Sequence, residues 1–239
     1  MKPIAEHRVF ITGGSKGIGY GVAEAIVAQG GNVAITARSR DEVMGAAERL
    51  TERGPGRALG LVCDVRDYAA QRNAVDQAGH EFGGLDAVVA NAGVGKFAPI
   101  GELSEEDWLA TIDTNLTGVF YTVKASLDAL RQSKGFLVTI ASLAGTNFFA
   151  GGAAYNASKF GLVGFTQAVM LDVRDDGVRV STIMPGSVAT HFNGNSPSAG
   201  DAWKIQPEDV GQLVVDLLRM PARTLPSKVE VRPARTKKK

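Results

Sequence analysis

The chain has 239 residues, 44% of them hydrophobic and 29 of them glycine, with a formal net charge of +1. That length suits one α/β domain with a sizeable core, since such domains often reach roughly 200–250 residues. The near-neutral balance gives no basic field for nucleic acid or an anionic membrane surface, and no apolar run nears the ~20 residues of a membrane span.

Along the chain, short apolar runs alternate with helix-length segments. The N-terminus lacks a basic-then-apolar leader, and the first strand is expected at residues 8–12, through Arg8-Val9-Phe10-Ile11-Thr12. Gly13-Gly14-Ser15-Lys16-Gly17-Ile18-Gly19 follows and opens a helix over 18–29 that stops at Gly30-Gly31. Glycines there permit positive φ and close backbone approach, and the helix N-terminus offers unpaired N–H groups to a phosphate. The spacing is Gly-x-x-x-Gly-x-Gly, and its place between a first strand and a first helix predicts a dinucleotide cradle.

Further strands are expected at 32–37, 58–62, 85–90, 135–141, 178–183 and 228–232. Helices are expected at 40–52, 67–82, 104–131, 155–174 and 207–219. Cys63, the only cysteine, makes no intramolecular disulfide and points to a reducing, cytoplasmic setting. The strands are short and almost wholly apolar, as in a parallel sheet covered on both faces. Right-handed crossovers then give one domain over 1–239: a doubly wound parallel sheet (Rossmann fold) of about seven strands.

Near the end of the fifth strand stands Ser142, and the next helix opens with Tyr155-Asn156-Ala157-Ser158-Lys159. Residues four apart share a helix face, so the phenol and the ammonium lie side by side. A cation there favours the phenolate and would let the tyrosine exchange protons near neutral pH, although its reference pKa is about 10. The same helix is apolar on several sides, through Phe160, Leu162, Val163, Phe165, Val169, Met170 and Leu171. Such a helix packs against a second subunit or lies centrally within its own chain. The segment 191–206, with Asn193-Gly194-Asn195-Ser196-Pro197-Ser198-Ala199-Gly200, reads as a lid or an ordinary surface loop beyond the carboxyl end of the sheet. The last residues, 234–239, form a basic tail expected to be solvated. His7, His80 and His191 show no metal-ligand pattern, and no metal is expected.

Taken together, these residues resemble the short-chain dehydrogenase/reductase family. Thr12-Gly13-x-x-x-Gly17-x-Gly19 resembles its cofactor turn, and Asn91-Ala92-Gly93 its motif after the fourth strand. Asn115 falls on its helix asparagine, while Ser142, Tyr155 and Lys159 match its catalytic serine and Tyr-x-x-x-Lys. Pro185-Gly186 with Val188 and Thr190 is similar to its nicotinamide-side turn, and Asp64-Val65 to the pair that contacts adenine; Asp64 equally suits a loop or helix cap.

The resemblance implies a catalytic set of Asn115, Ser142, Tyr155 and Lys159, with Lys159 on the nicotinamide ribose and Asn115 holding a water. It also implies cofactor contacts from Ser15 and Ile18 in the glycine turn, and a homodimer or homotetramer. One departure is the C-terminus. The family's 3-oxoacyl-carrier-protein reductases usually end in a Gly-Gly-containing segment, whereas this chain ends its sheet with Pro226-Ser227-Lys228-Val229-Glu230-Val231-Arg232-Pro233.

Charge at the second strand selects the cofactor. NAD-binding sheets of this type place an acid there to bond the ribose 2′-hydroxyl. Here the strand ends at Arg38-Ser39-Arg40, and Asp41 comes too late. Arg38 would grip a 2′-phosphate bidentately, with Lys16 approaching from the glycine turn, so NADP(H) is expected. The bland alternative is that Arg38, Arg40 and Lys16 are solvent-facing charges.

Phe97, Phe148, Phe149, Phe192 and Trp203 are candidate pocket walls, suiting a ketone, aldehyde or 3-oxoacyl thioester. The expected activity is NADPH-dependent hydride transfer to such a carbonyl, or from its alcohol. The competing readings are a sugar-nucleotide epimerase or dehydratase, and a catalytically silent NADP-binding sensor or scaffold. Too few residues follow 207–219 for an epimerase's substrate domain, and a pure binder has no need of the proton relay.

Overall fold

The structure, a computed structural model, describes residues 2–236, so Lys237 to Lys239 of the basic tail lie outside it. Its strands are β1 Arg8–Thr12, β2 Asn32–Ala37, β3 Ala58–Val62, β4 Ala87–Ala90, β5 Phe136–Ile140, β6 Arg179–Pro185 and β7 Lys228–Val231. All pairs are parallel, in the order β3-β2-β1-β4-β5-β6-β7. The expected doubly wound sheet of seven strands is therefore present. Successive strands move outward in opposite directions from the β1–β4 pair, where Val9 stands opposite Ala87 and Ile11 opposite Val89. This reversal opens a crevice at the carboxyl ends of the central strands.

Side chains alternate across each strand and so sort into two cores. Val9, Ile11, Val33, Ile35, Ala87, Val89, Val138 and Ile140 join one core. Phe10, Ala34, Val88, Ala90, Leu137 and Met184 join the other. A helix layer covers each face, which is why the strands read as continuous apolar runs rather than alternating ones. The helices are α1 Gly17–Val27, α2 Arg40–Thr51, α3 Tyr68–Phe82, α4 Glu105–Ile112, α5 Gly118–Ser133, α6 Ala153–Val173 and α7 Pro207–Leu218. On the first face α1 and α7 nearly touch backbone to backbone. A Cβ built on Gly211 would lie 2.4 Å from the Gly21 carbonyl oxygen, so only glycine fits there.

One difference from the sequence reading concerns the helices. The segment expected as one helix over 104–131 is interrupted. Asp113–Thr117 form a π-helical turn between α4 and α5, in which the Gly118 N–H reaches back to the Asp113 carbonyl. Such turns accommodate one extra residue, and no side-chain pattern announces them. Helix α6 buries Ala154, Asn156, Ser158, Lys159, Leu162, Thr166 and Val173 within the chain. Phe160 and Leu171 on α6 remain exposed, as does Phe120 of α5, whose ring lies 6.3 Å from that of Phe165. Among the described residues no helix is long and apolar enough to cross a membrane, and no group of three metal-ligating side chains stands together.

Candidate active site

A cleft of about 1570 Å³ runs along the carboxyl ends of the strands, larger than the roughly 300–1,000 Å³ of a pocket for one small ligand. Its first wall is the turn between β1 and α1. Gly13 and Gly17 adopt positive φ (66° and 59°), a region that favours glycine. A Cβ on Gly19 would lie 2.4 Å from the Gly13 carbonyl oxygen, so the turn folds tightly onto itself. Gly13, Ser15, Lys16, Gly17 and Ile18 line the cleft at the start of α1.

Thr12 and Gly19 do not line the cleft; they build its floor. The Thr12 hydroxyl oxygen accepts from the backbone N–H groups of Asn91 (3.0 Å) and Ala92 (3.1 Å), tying β1 to the loop after β4. The Asn91 amide donates to the carbonyls of Thr12 (2.9 Å) and Gly13 (3.0 Å). These bonds hold the glycine turn against the Asn91-Ala92-Gly93 loop, whose three residues all face the cleft.

At one end of the cleft stand Arg38, Lys16, Asp64 and Val65. Arg38 is exposed, and Lys16 Nζ lies 3.7 Å from Glu42. The sequence offered Asp64 as an adenine contact or a cap. In the structure the helix cap is Asp67, which accepts from Ala69 N and Ala70 N. Asp64 caps the loop, its Oδ1 accepting from Arg66 N at 3.0 Å, and pairs with the Arg66 guanidinium, whose Nη2 is 2.6 Å away and holds its carboxyl below the usual range. The Thr36 hydroxyl is buried without a hydrogen-bond partner and also lines this end. Positive-φ glycines, an exposed helix start, two cations and an orphaned hydroxyl fit a phosphorylated dinucleotide.

Farther along lie the groups for chemistry. Ser142 follows β5 by two residues and caps a short 3-10 turn, its oxygen accepting from Ala144 N at 3.1 Å. Tyr155 and Lys159 come from the first turns of α6, and Lys159 is only 4% exposed. The Lys159 ammonium donates to the Ile140 carbonyl at 3.0 Å and lies 5.7 Å from the Tyr155 ring centre. Burial lowers its pKa to about 8.

The sequence reading expected Lys159 to draw the phenol towards ionisation. The structure reverses that sign. Burial raises the Tyr155 pKa above its ordinary value, and hydrogen bonding with Ser142 offsets only part of the rise. A shared helix face was legible; the depth of the pocket, which disfavours both charges, was not.

Asn115 sits at the centre of the π turn, fully buried. Its Oδ1 accepts from Val94 N (2.8 Å), and its Nδ2 donates to the Val94 carbonyl (2.9 Å) and to Ser158 Oγ (3.1 Å). Its side chain therefore clamps the loop after β4 to α6, and it does not line the cleft. Val94 and Ser158, its partners, had no sequence signal of their own.

Aromatic rings wall the space above the phenol. Phe97 packs edge-on against Tyr155 (5.4 Å between centroids) and Phe149 (5.7 Å), and Phe192 lies 5.7 Å from Tyr155. Phe148 is 86% exposed yet reaches the cleft rim, as does Trp203. Pro185, Gly186, Val188 and Thr190 complete the wall beyond β6. The loop 191–206 contains two short 3-10 turns, and its base is tied by the Val188–Ile205 bridge. The described part of the tail is exposed, as expected, and Arg235 and Thr236 also border the cleft together with Arg232 and Pro233.

Comparison with known proteins gives a consistent result. The family model described as short chain dehydrogenase matches residues 7–200. An uncharacterized oxidoreductase of Staphylococcus saprophyticus is 32% identical over 234 residues, spanning 98% of this chain and 100% of that protein. The 3-oxoacyl-acyl-carrier-protein reductase of Salmonella typhimurium is 34% identical over 181 residues, spanning 75% of this chain and 72% of its own. Among solved structures, an alcohol dehydrogenase from Thermococcus sibiricus complexed with 5-hydroxy-NADP superposes with a TM-score of 0.90 at 28% identity, covering 98% and 99% of the two chains. A short-chain dehydrogenase from Burkholderia cenocepacia in complex with NADP superposes at 0.88 and 29%, covering 97% and 98%.

Proposed function

The chain belongs to the short-chain dehydrogenase family of oxidoreductases, and we propose that it is an NADP(H)-dependent reductase of ketones, aldehydes or 3-oxoacyl thioesters. The observation that carries this reading is the convergence of Ser142, Tyr155 and Lys159 in the same cleft as the glycine turn. NADPH bound along the cleft would supply the hydride to the carbonyl carbon. Arg38 and Lys16 would hold its 2′-phosphate, and Lys159 its nicotinamide ribose. The two neighbours bound to NADP-type cofactors agree with that choice.

Ser142 and Tyr155 would hold the substrate's carbonyl oxygen between them. Tyr155 gives its hydroxyl proton to that oxygen as C=O becomes C–OH, so hydride and proton together convert the carbonyl into an alcohol. A phenol held above its ordinary pKa stays protonated at neutral pH, which suits an acid in the reducing direction. Asn115 acts as a positioning residue by fixing Val94 against α6; a water linking Lys159 to solvent would complete the relay.

Three further readings follow. The loop 191–206 would close over substrate, since its Phe192 already packs on Tyr155. The exposed Phe120 of α5 and Phe160 and Leu171 of α6 would pair with a second copy in a homodimer or homotetramer. A cytoplasmic setting fits the one buried, unpaired cysteine.

Tyr155→Phe tests the assignment. It removes the transferable proton while keeping the ring, and kcat for NADPH-dependent carbonyl reduction should fall roughly 10²–10⁴-fold. NADPH fluorescence titration should show cofactor binding retained. A variant that kept most of its turnover would overturn the role of Tyr155.

A further inference from the structure

The cleft's charges are unevenly distributed. Among the described residues its only acidic lining side chains are Glu42 and Asp64, and both stand at the ribose end, against Lys16 and Arg66. Beyond Ser142 in sequence the lining holds Lys159 beside Tyr155, then Lys204, Arg232 and Arg235, with His191, and no carboxylate.

The tail brings two of these cations to the site. After β7 the chain runs on beside the β6 exit: Gly186 N donates to the Val231 carbonyl at 2.8 Å. A Cβ placed on Gly186 would lie 3.1 Å from Leu143 Cδ1 and 3.3 Å from Pro233 Cδ. Pro233 thus lies across Gly186 from the residue that follows Ser142, with Arg232 and Arg235 on either side of it in sequence. Arg232 and Lys204 each face one acid, Glu230 at 3.0 Å and Asp201 at 2.7 Å, and neither acid lines the cleft. Arg235 has no acidic partner among the described residues.

We propose that the substrate carries an anionic group remote from its carbonyl, and that Arg235, with Arg232 and Lys204, forms its binding site on the rim of the cleft. This rests on the reductase reading. The substrate's apolar body would lie against Phe97 and Phe192, its carbonyl on Tyr155, and its carboxylate or phosphate against the guanidinium of Arg235. Guanidinium groups take both anions bidentately. A free oxo acid and a phosphopantetheine thioester would satisfy this chemistry equally, so the test includes both.

Two matched pairs serve as probes: acetophenone with 4-acetylbenzoate, and S-acetoacetyl-pantetheine with its 4′-phosphate. Each is titrated calorimetrically into the full-length protein loaded with NADP⁺, and each is assayed for reduction with NADPH. In at least one pair the anionic member should bind roughly tenfold tighter or more, as expected for a charge-assisted contact. The preference should shrink in 1 M salt, and Arg235→Gln should lower it severalfold without an equal change in the NADPH Kd. The pair that responds identifies carboxylate or phosphate. Equal binding within both pairs, or a preference unchanged in Arg235→Gln, overturns the proposal. If neutral and anionic ketones are reduced equally well, the reductase reading stands and the anion site falls. If the anions bind selectively but nothing is reduced, the anion site stands and the reductase reading falls.

Discussion

The two ends of the cleft are built from different materials. At the cofactor end the backbone does most of the shaping. Positive-φ glycines and a helix start, held in place by the Thr12 hydroxyl and the Asn91 amide, set a surface formed largely by backbone. At the substrate end, side chains from four separate segments do the shaping: the loop after β4, the stretch after Ser142, the loop after β6 and the tail. A backbone-built surface tolerates no added atoms, whereas a side-chain-built one can be recast by exchanging single residues. The first end is suited to one constant ligand and the second to a substrate that differs between relatives.

Substitutions should respond to that contrast unequally. The largest effect is expected from Gly19→Val, because its Cβ would meet the Gly13 carbonyl oxygen at 2.4 Å. NADPH affinity should drop by at least about 100-fold, or about 3 kcal/mol, in fluorescence titration. Retained affinity would break the idea that backbone geometry governs this end.

Next comes Lys159→Met, which removes a buried charge from the catalytic end. In the folded chain the ammonium pKa is down to about 8, against 10.5 in the unfolded chain. Between those values the unfolded state holds a proton that the folded state has released. Stability from this group therefore rises with pH through that window and is lowest below pH 8. Near pH 7 the variant should be more stable by up to about 3 kcal/mol, with the gap closing as pH approaches 10.5 and activity lost throughout. Denaturant melts of both proteins from pH 7 to 10 provide the measurement, and a gap that stays constant would show that Lys159 is not strained by burial.

The smallest effect belongs to Arg38→Gln, an exposed side chain at an end ruled by backbone. NADPH should bind roughly 10-fold more weakly, about 1.5 kcal/mol, with NADH affinity nearly unchanged. Equal losses for both cofactors would remove Arg38 from 2′-phosphate recognition.

Legibility from the sequence followed the same divide. Glycine spacing and apolar runs encode backbone, so the sheet, the glycine turn and the places of Ser142, Tyr155 and Lys159 could be read directly. The π turn could not, because Asp113 to Thr117 carry no composition that distinguishes them from ordinary helix. The sign of the Tyr155 shift was missed because spacing reports adjacency and not depth. Arg66 was overlooked as the partner of Asp64 although it lies two residues away, since loop pairs have no periodicity to reveal them. The tail was read as solvated, and Arg235 and Thr236 are indeed exposed; that they also border the cleft had no sequence signal, because it depends on Pro233 lying beside Gly186.

The π turn behaves as a phase shifter. One residue more than an α-helical turn requires advances the helix by about 100° and 1.5 Å. It therefore lets the residues before Asp113 and those after Thr117 present their buried sides in directions that a single regular helix would not align. Both sides are in use: Thr111 is buried upstream, and Val119, Val123 and Leu130 enter the core downstream. Asn115 occupies the step between the two phases, where its amide meets both Val94 and Ser158. Removing any one residue from 113–117 would restore helical regularity and set the two halves out of phase with the surfaces they now cover.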